Sequence, residues 1–139
     1  MKLRIRGNSL RLRLTKSEAA EIGAGRAVEE TVDFGGEPSQ KLIYALVPAG
    51  EVESATAVFD GGRIAVFIPK AQAAEWARSN RVGIEAEKQI GAETGSSLRI
   101  LIEKDFACLD RRAGEEDADT FAHPLEKETA NPIRLKALE

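Results

Sequence analysis

Aromatic side chains, cysteine and long apolar runs are all scarce in this chain of 139 residues. Aromatic residues make up 5% of it, so a core has to be built mainly from Leu, Ile, Val and Ala. The single cysteine, Cys108, excludes an intramolecular disulfide and suits a reducing compartment. No stretch is apolar enough for a membrane span, and the first residues alternate charge with aliphatics, unlike a secretion signal. We therefore expect a cytoplasmic protein of bacterial type, with no membrane partner.

Charge is unevenly distributed along the chain. The formal net charge is −3, yet residues 1–16 contain six basic residues and no acid, whereas the region after residue 103 is rich in acids. The chain length is that of one domain with a real core. Local charge is therefore more informative about binding partners than total charge.

The clearest pattern is in residues 2–14, where arginines alternate with aliphatic residues on both sides of Gly7-Asn8. Strict alternation places the two sets on opposite faces of a strand, and a two-residue turn with glycine is typical of a β-hairpin. We call residues 2–14 the basic hairpin, with one aliphatic and one cationic face. Its predicted cross-strand pairs are Arg6 with Ser9, Ile5 with Leu10, Arg4 with Arg11, Leu3 with Leu12 and Lys2 with Arg13.

The other patterns predict two short helices and further strands. Thr15 and Glu18 have the spacing of a capping box, which predicts a helix over 16–23. Pro69 suits the first turn of a second helix over 70–79. Strands are predicted over 28–34, 42–47, 82–87 and 98–104, with a second hairpin around Gly61-Gly62.

The second half of the chain resembles the first at an offset of 54 residues, with turn, strand and helix start in the same order. We predict a β-rich α+β fold in which two ββαββ repeats, 1–50 and 54–109, form one pseudo-symmetric barrel or barrel-like sheet of about eight strands. Residues 1–109 would form a single domain, and 110–139 an irregular acidic tail. The second hairpin is apolar on nearly both faces and is therefore expected to be buried.

Two resemblances to families accompany these patterns. The string Arg6-Gly7-Asn8-Ser9, followed by alternating Leu and Arg and then Thr15-Lys16, resembles the opening of MazE and AbrB-like swapped-hairpin modules. That resemblance implies a barrel shared by two hairpin units, and DNA binding by basic residues that include Arg4 and Arg13. The match is incomplete, because Ile5 and Arg6 stand where those modules have an arginine and an aromatic residue.

The whole chain, from its Lys-Leu-Arg-Ile-Arg-Gly-Asn-Ser opening to the segment 103–109, is also similar to a family of uncharacterised bacterial proteins. This second resemblance is more specific than the first. It implies no known activity, cofactor or partner.

The candidate binding residues are the arginines of the basic hairpin, Arg4, Arg6, Arg11 and Arg13. Planar guanidinium groups match the oxygens of phosphate, so this face predicts a site for nucleic acid or a small anion. The alternative is neutralisation inside the protein, because like charges on neighbouring strands repel and need a counter-charge. The acids proposed for that role are Glu29, Asp33, Glu85 and Glu87.

Catalytic and metal chemistry have weaker signals. Cys108 and His123 lack the paired spacing of a zinc site, and His123 is the only histidine that could act as a base for Cys108. Glu85, Glu87 and Glu103 could form paired carboxylates, but no pattern directs them to a pocket. The sequence thus predicts no catalytic residue, metal site or cofactor.

Three functional hypotheses stay open. The first is a non-catalytic protein that binds nucleic acid or another polyanion through the basic hairpin. The second is an enzyme or carrier with a polar pocket for a small anionic metabolite inside the barrel. The third is a protein-interaction module, whose oligomeric state the sequence does not indicate.

Overall fold

The computed structural model describes residues 1–91 and 95–105. Within them lie β1 (Lys2–Arg6), β2 (Ser9–Leu14), α1 (Lys16–Gly23), β3 (Val28–Asp33), β4 (Lys41–Ala49), β5 (Thr56–Asp60), β6 (Arg63–Pro69), α2 (Lys70–Arg78), β7 (Gly83–Ile90) and β8 (Ser96–Lys104), with a 3-10 turn at Pro38–Gln40 before β4. The predicted strand-rich α+β class is confirmed. The predicted tail 110–139, Cys108 and His123 lie outside the described residues.

The strands of the described residues form two four-stranded sheets, and no closed barrel is found among them. Sheet I has the order β1-β2-β8-β7 and sheet II the order β3-β4-β6-β5. Each consists of two antiparallel hairpins joined by a central parallel pair, β2–β8 or β4–β6. Where β5 and β7 approach, Lys88 Nζ donates to the carbonyl of Ala57 at 2.6 Å, a side-chain contact between the sheets.

The basic hairpin has the predicted register, and all five cross-strand pairs are confirmed. Its turn has a positive φ at Gly7 (57°) alone, the pattern of a type II′ turn. In the second hairpin Gly61 and Gly62 both have positive φ, 58° and 78°, as a type I′ turn requires. The two hairpins therefore have the same loop length with different turn chemistry.

One hydrophobic cluster draws on both sheets and both helices, and its fully buried members include Leu12, Leu46 and Ile102. Every buried residue in the described part of the chain is hydrophobic. The polar interior that the enzyme hypothesis needs is therefore not found there.

The expectation that the second hairpin is buried is wrong for one of its strands. Val58 and Phe59 on β5 are 48% and 70% exposed. The reason is that β5 lies at the edge of sheet II, whereas its partner β6 is covered on both sides by strands. Apolar composition predicted burial, but position in the sheet decided it.

Both helices begin as predicted. At the start of α1 the Glu18 amide donates to Thr15 Oγ1 at 3.3 Å and the Thr15 amide donates to Glu18 Oε1 at 2.9 Å, which completes the capping box. Helix α2 starts directly after Pro69. The two helices pack against each other, and α2 buries Trp76 completely.

The contact between the helices is tight at Gly23. A Cβ atom there would lie 2.4 Å from the Cβ of Ala77. We expect Gly23→Ala to lower the free energy of unfolding by about 1–3 kcal/mol, although alanine normally favours a helix, because overpacking outweighs that preference. Urea unfolding of Gly23→Ala, Ala77→Gly and the double variant measures this. If the double variant is no more stable than Gly23→Ala, the steric explanation is wrong.

Candidate anion-binding face

The outer face of sheet I is formed by the side chains of alternate residues on its four strands. Arg4 pairs with Arg11 across β1 and β2, Arg11 with Leu101 across β2 and β8, and Leu101 with Glu85 across β8 and β7. The cations of this face therefore lie mainly on β1 and β2, and its carboxylates lie on β8 and β7, with Arg99 of β8 as a cation among them. The face comprises Lys2, Arg4, Arg6, Ser9, Arg11, Arg13, Glu85, Glu87, Arg99, Leu101 and Glu103.

A groove of about 590 Å³ lies on this face. Arg4, Arg6 and Arg11 line one side, Glu85 and Glu87 line the other, and the side chains between them come from β2 and β8. Its volume is within the range of small-ligand pockets. The structure thus brings three of the four predicted arginines to a common groove.

Glu103 is a counter-charge that two arginines of the basic hairpin share. Its Oε1 accepts from Arg11 Nη2 at 2.6 Å and from Arg13 Nε at 2.9 Å. The side chain of Glu103 is only 13% exposed. Arg11 and Arg13 are therefore held in place by one shared carboxylate, which leaves them less available to a ligand than the arginines of β1.

The four acids proposed for this role make other contacts, so that prediction is corrected. Glu29 lies in sheet II and accepts from Arg63 at 2.8 Å, and Asp33 accepts from the backbone of its own loop. Glu85 lies 4.0 Å from Arg99, and both are about 70% exposed. Glu87 accepts from a serine hydroxyl. The physical reason is strand order, which places β3 in another sheet and β7 at the far edge of sheet I.

Arg4 and Arg6 differ from the other two arginines of the basic hairpin. Both are exposed on the edge strand β1. Within residues 1–91 and 95–105, neither has a carboxylate within the 4.0 Å of an ion pair. Binding of an anion to these two guanidinium groups would therefore break no ion pair of the described residues.

Two residues of this face were missed as binding candidates by sequence reasoning. Arg99 and Glu103 alternate with aliphatic residues in β8, which indicates that they share one face of a strand. What no local pattern indicated is that β8 pairs with β2, some ninety positions earlier in the chain. The alternation in β8 could have indicated that Arg99 and Glu103 share a face, but the sequence did not indicate which strand pairs with β8.

A second charged cluster surrounds the amino group of Met1. The amino group donates to Glu18 at 2.5 Å and to Glu30 at 3.0 Å, and the Tyr44 hydroxyl donates to the Met1 carbonyl. Burial by itself would lower the pKa of the amino group, but the hydrogen bonds to Glu18 and Glu30 outweigh it and raise that pKa. Burial would likewise raise the pKa of Glu18, but the hydrogen bond from the amino group outweighs it and lowers that pKa.

These opposite shifts predict a plateau of stability near neutral pH. Because the pKa of Glu18 is below its ordinary 4.5 in the folded chain, its contribution is complete above pH 4.5 and is lost as the pH falls through the folded value. Because the pKa of the amino group is above its ordinary 8.0, its contribution is complete below pH 8.0 and is lost as the pH rises through the folded value.

Glu18→Gln tests this cluster, because glutamine keeps the helix cap and removes the charge. We expect about 1–2 kcal/mol less stability at neutral pH and a weaker decline on both sides of the plateau. Urea unfolding across the pH range measures it, with the exposed Glu53→Gln as the control. Equal pH profiles for Glu18→Gln and the unsubstituted protein would rule out the cluster as the source.

The described part of the chain offers neither a metal site nor a helix that could span a membrane. No group of three His, Cys, Asp or Glu side chains is arranged there to hold a metal ion. None of the helices described is long and apolar enough to cross a membrane.

Comparison with known proteins gives a family and no activity. No curated protein and no solved structure matches this chain. One family model does match, over residues 1–125, which is most of the chain. This confirms the expected relation to an uncharacterised family, and the chain belongs to DUF7009, a family of unknown function.

Proposed function

We propose that this protein binds nucleic acid or another polyanion along the β1–β2 side of sheet I. The observation that carries the proposal is the pair Arg4 and Arg6, exposed and without a carboxylate partner among the described residues, beside Arg11 in the groove. Two unpaired guanidinium groups on one strand repel each other and favour a ligand that supplies negative charge to both.

The spacing of these arginines suits a ligand with repeated charges. Residues two apart on a strand lie roughly 6.5–7 Å apart along it. A polyanion lying along β1 would meet Arg4 and Arg6 in turn, whereas one lying across the strands would run into Glu85 and Glu87. The charges of the face therefore favour an orientation parallel to the strands.

We include in this proposal that each half of the chain is related to the swapped-hairpin modules, and the topology supports this relation. Sheet I combines the first and last hairpins of the described chain, and sheet II combines the two middle ones. That arrangement is what two ββαββ repeats would form if each contributed one hairpin to each sheet. On this interpretation a duplication places two ββαββ units in one chain, within a domain of residues 1–109. The smaller modules bring two such units together by dimerising.

The test compares two double variants that remove equal charge. Arg4→Ala with Arg6→Ala removes the free pair, and Lys16→Ala with Arg78→Ala removes two exposed cations from the helices. Fluorescence anisotropy with labelled single-stranded DNA, RNA and heparin, between about 50 and 200 mM salt, measures the dissociation constants.

We expect the variant without Arg4 and Arg6 to have a dissociation constant raised about tenfold or more. The slope of the logarithm of the binding constant against the logarithm of the salt concentration should become shallower by about 1.5–2, since each lost phosphate contact reduces that slope by about one. The helix variant should bind within about twofold of the unsubstituted protein. Equal losses in both variants would mean attraction by overall charge, and no binding at low salt would overturn the proposal.

The groove volume favours a second candidate, a small anion that also carries hydrogen-bond donors. Its anionic group would bind Arg4 and Arg6 while its donors met Glu85 and Glu87 across the groove. Calorimetry with mononucleotides tests this candidate. Binding that is lost in Glu85→Gln with Glu87→Gln would favour the small anion, because a polyanion should bind such a variant more tightly.

A further inference from the structure

We propose that two copies of this chain associate through the outer faces of sheet I, about a two-fold axis parallel to the strands. This inference goes beyond the proposed function and does not depend on it. It rests on a charge pattern that is complementary to itself.

The register of the strands defines the charge pattern as rows across the sheet. One row runs from Arg4 through Arg11 and Leu101 to Glu85. The row beside it runs from Arg6 through Ser9 and Arg99 to Glu87. In both rows an arginine lies at the β1 end and a glutamate at the β7 end.

A two-fold axis parallel to the strands, midway between β2 and β8, brings β1 of one copy over β7 of the other. Each row of one copy then lies over the same row of the other copy, in the reverse direction. Arg4 therefore faces Glu85 of the second copy, and Arg6 faces its Glu87. Each contact occurs twice, as a two-fold interface requires. Packed sheets lie roughly 10 Å apart, a distance that an arginine and a glutamate reaching toward each other can span.

The alternative axis, perpendicular to the strands, is excluded by charge. It would bring β1 over β1, so that Arg4 and Arg6 faced the cations of the second copy. Like charges placed opposite each other cost free energy and suppress such an arrangement. The charge pattern therefore selects one two-fold orientation.

The groups that would pair between copies are weakly engaged within one copy. Arg4 and Arg6 have no carboxylate partner among the described residues, and Glu85 has only a 4.0 Å contact to the exposed Arg99. The one contact described for Glu87 is the hydroxyl of Ser97, at 3.2 Å. Pairing across the interface would therefore break few existing contacts.

The area limits the strength of this association. One four-stranded face covers roughly 300–400 Å² from strand spacing and length, against about 800 Å² per partner in a stable interface. We therefore expect a reversible dimer that weakens with salt. A polyanion on Arg4 and Arg6 would occupy the place of Glu85 and Glu87 of the second copy, so it would compete with dimerisation.

Charge reversal tests the proposal with the full chain. The first variant is Arg4→Glu with Arg6→Glu, and the second is Glu85→Arg with Glu87→Arg. The control, Glu51→Arg with Glu53→Arg, reverses two exposed glutamates at the same spacing in a loop. Sedimentation equilibrium at low and moderate salt measures the dimer dissociation constant for each protein and for mixtures.

We expect each reversed variant alone to be monomeric at concentrations where the unsubstituted protein dimerises, with a dissociation constant raised about tenfold or more. An equimolar mixture of the two should form a heterodimer, since β1 of each variant then faces a β7 of opposite charge on the other. The control should dimerise normally. A monomeric unsubstituted protein at low salt, or a mixture that stays monomeric, would overturn the proposal.

The same variants separate this proposal from the proposed function. Glu85→Arg with Glu87→Arg should lose dimerisation and bind polyanions at least as tightly as before. If that variant dimerises normally while polyanion binding still depends on Arg4 and Arg6, the self-association proposal alone fails.

Discussion

Trp76→Ala should lower the free energy of unfolding by about 3–5 kcal/mol, the largest effect that we expect from a single substitution. Trp76 is the largest fully buried side chain described, and it joins helix α2 to the hydrophobic cluster between the sheets. Truncation would remove its packing and leave a cavity that the neighbouring strands can close only in part.

Two polar contacts add to the role of Trp76. Its Nε1 donates to the carbonyl of Val82 at 3.1 Å, just before β7. The ammonium of Lys104, which donates to the carbonyl of Ser79, lies 5.5 Å from the centre of the ring. Trp76 therefore fixes the end of α2 relative to both strands of the last hairpin.

Urea unfolding followed by circular dichroism measures the change, because Trp76 is the only tryptophan and its loss abolishes that fluorescence signal. Trp76→Phe is the control. It should lower the free energy of unfolding less than Trp76→Ala does, because phenylalanine keeps most of the ring volume, although it loses the hydrogen bond to Val82. A loss below about 1 kcal/mol in Trp76→Ala would show that this helix contributes little to the fold.

Glu103→Gln should have two opposite effects, less stability and tighter binding of polyanions. Glu103 is 13% exposed and holds Arg11 and Arg13 through one oxygen. Neutralising it removes the counter-charge that these two half-buried guanidinium groups share. Since these arginines are 31% and 37% exposed, water compensates in part, and we expect a loss of about 1–3 kcal/mol.

The same substitution would remove the carboxylate that holds Arg11 and Arg13 beside Arg4 and Arg6. On the proposed function we expect the dissociation constant for a polyanion to fall about tenfold, with a steeper salt dependence. Glu85→Gln is the matched control, since it changes the charge of the same face by the same amount at a site that is 70% exposed. If both variants change affinity equally, the release of Arg11 and Arg13 is not the cause.

A destabilised Glu103→Gln with unchanged affinity would separate the two roles. It would establish Glu103 as a stabilising counter-charge and count against β2 as part of the binding surface. Unfolding and anisotropy measurements on the same preparations distinguish these outcomes.

Local elements were predictable from the chain because their causes are local. The alternation in residues 2–14 and the Gly7-Asn8 turn determine the register of the basic hairpin, since a slip by one residue would exchange its aliphatic and cationic faces. The capping box of Thr15 and Glu18 sets the start of α1 in the same way. The strand bounds were predicted less well, and β4, predicted over 42–47, extends over Lys41–Ala49.

The candidate site was predictable only in its cationic half. The sequence indicated a face of arginines, but not that Glu103 would contact Arg11 and Arg13 while Arg4 and Arg6 have no carboxylate partner among the described residues. That difference comes from the parallel pairing of β2 with β8, which joins residues about ninety positions apart. Such pairing is selected by how aliphatic faces fit together in the core, and no local pattern records it.

By itself, then, the sequence determined a cationic hairpin with a defined register, the starts of two helices and an aliphatic core, since hydrophobic alternation, the capping box of α1 and Pro69 before α2 act over a few residues. Only the tertiary structure decided that two sheets form in place of one barrel. It also placed the acids of β7 at the edge opposite the arginines of β1. The physical reason is that strand order depends on the packing of the whole domain, and strand order determines which charges become neighbours.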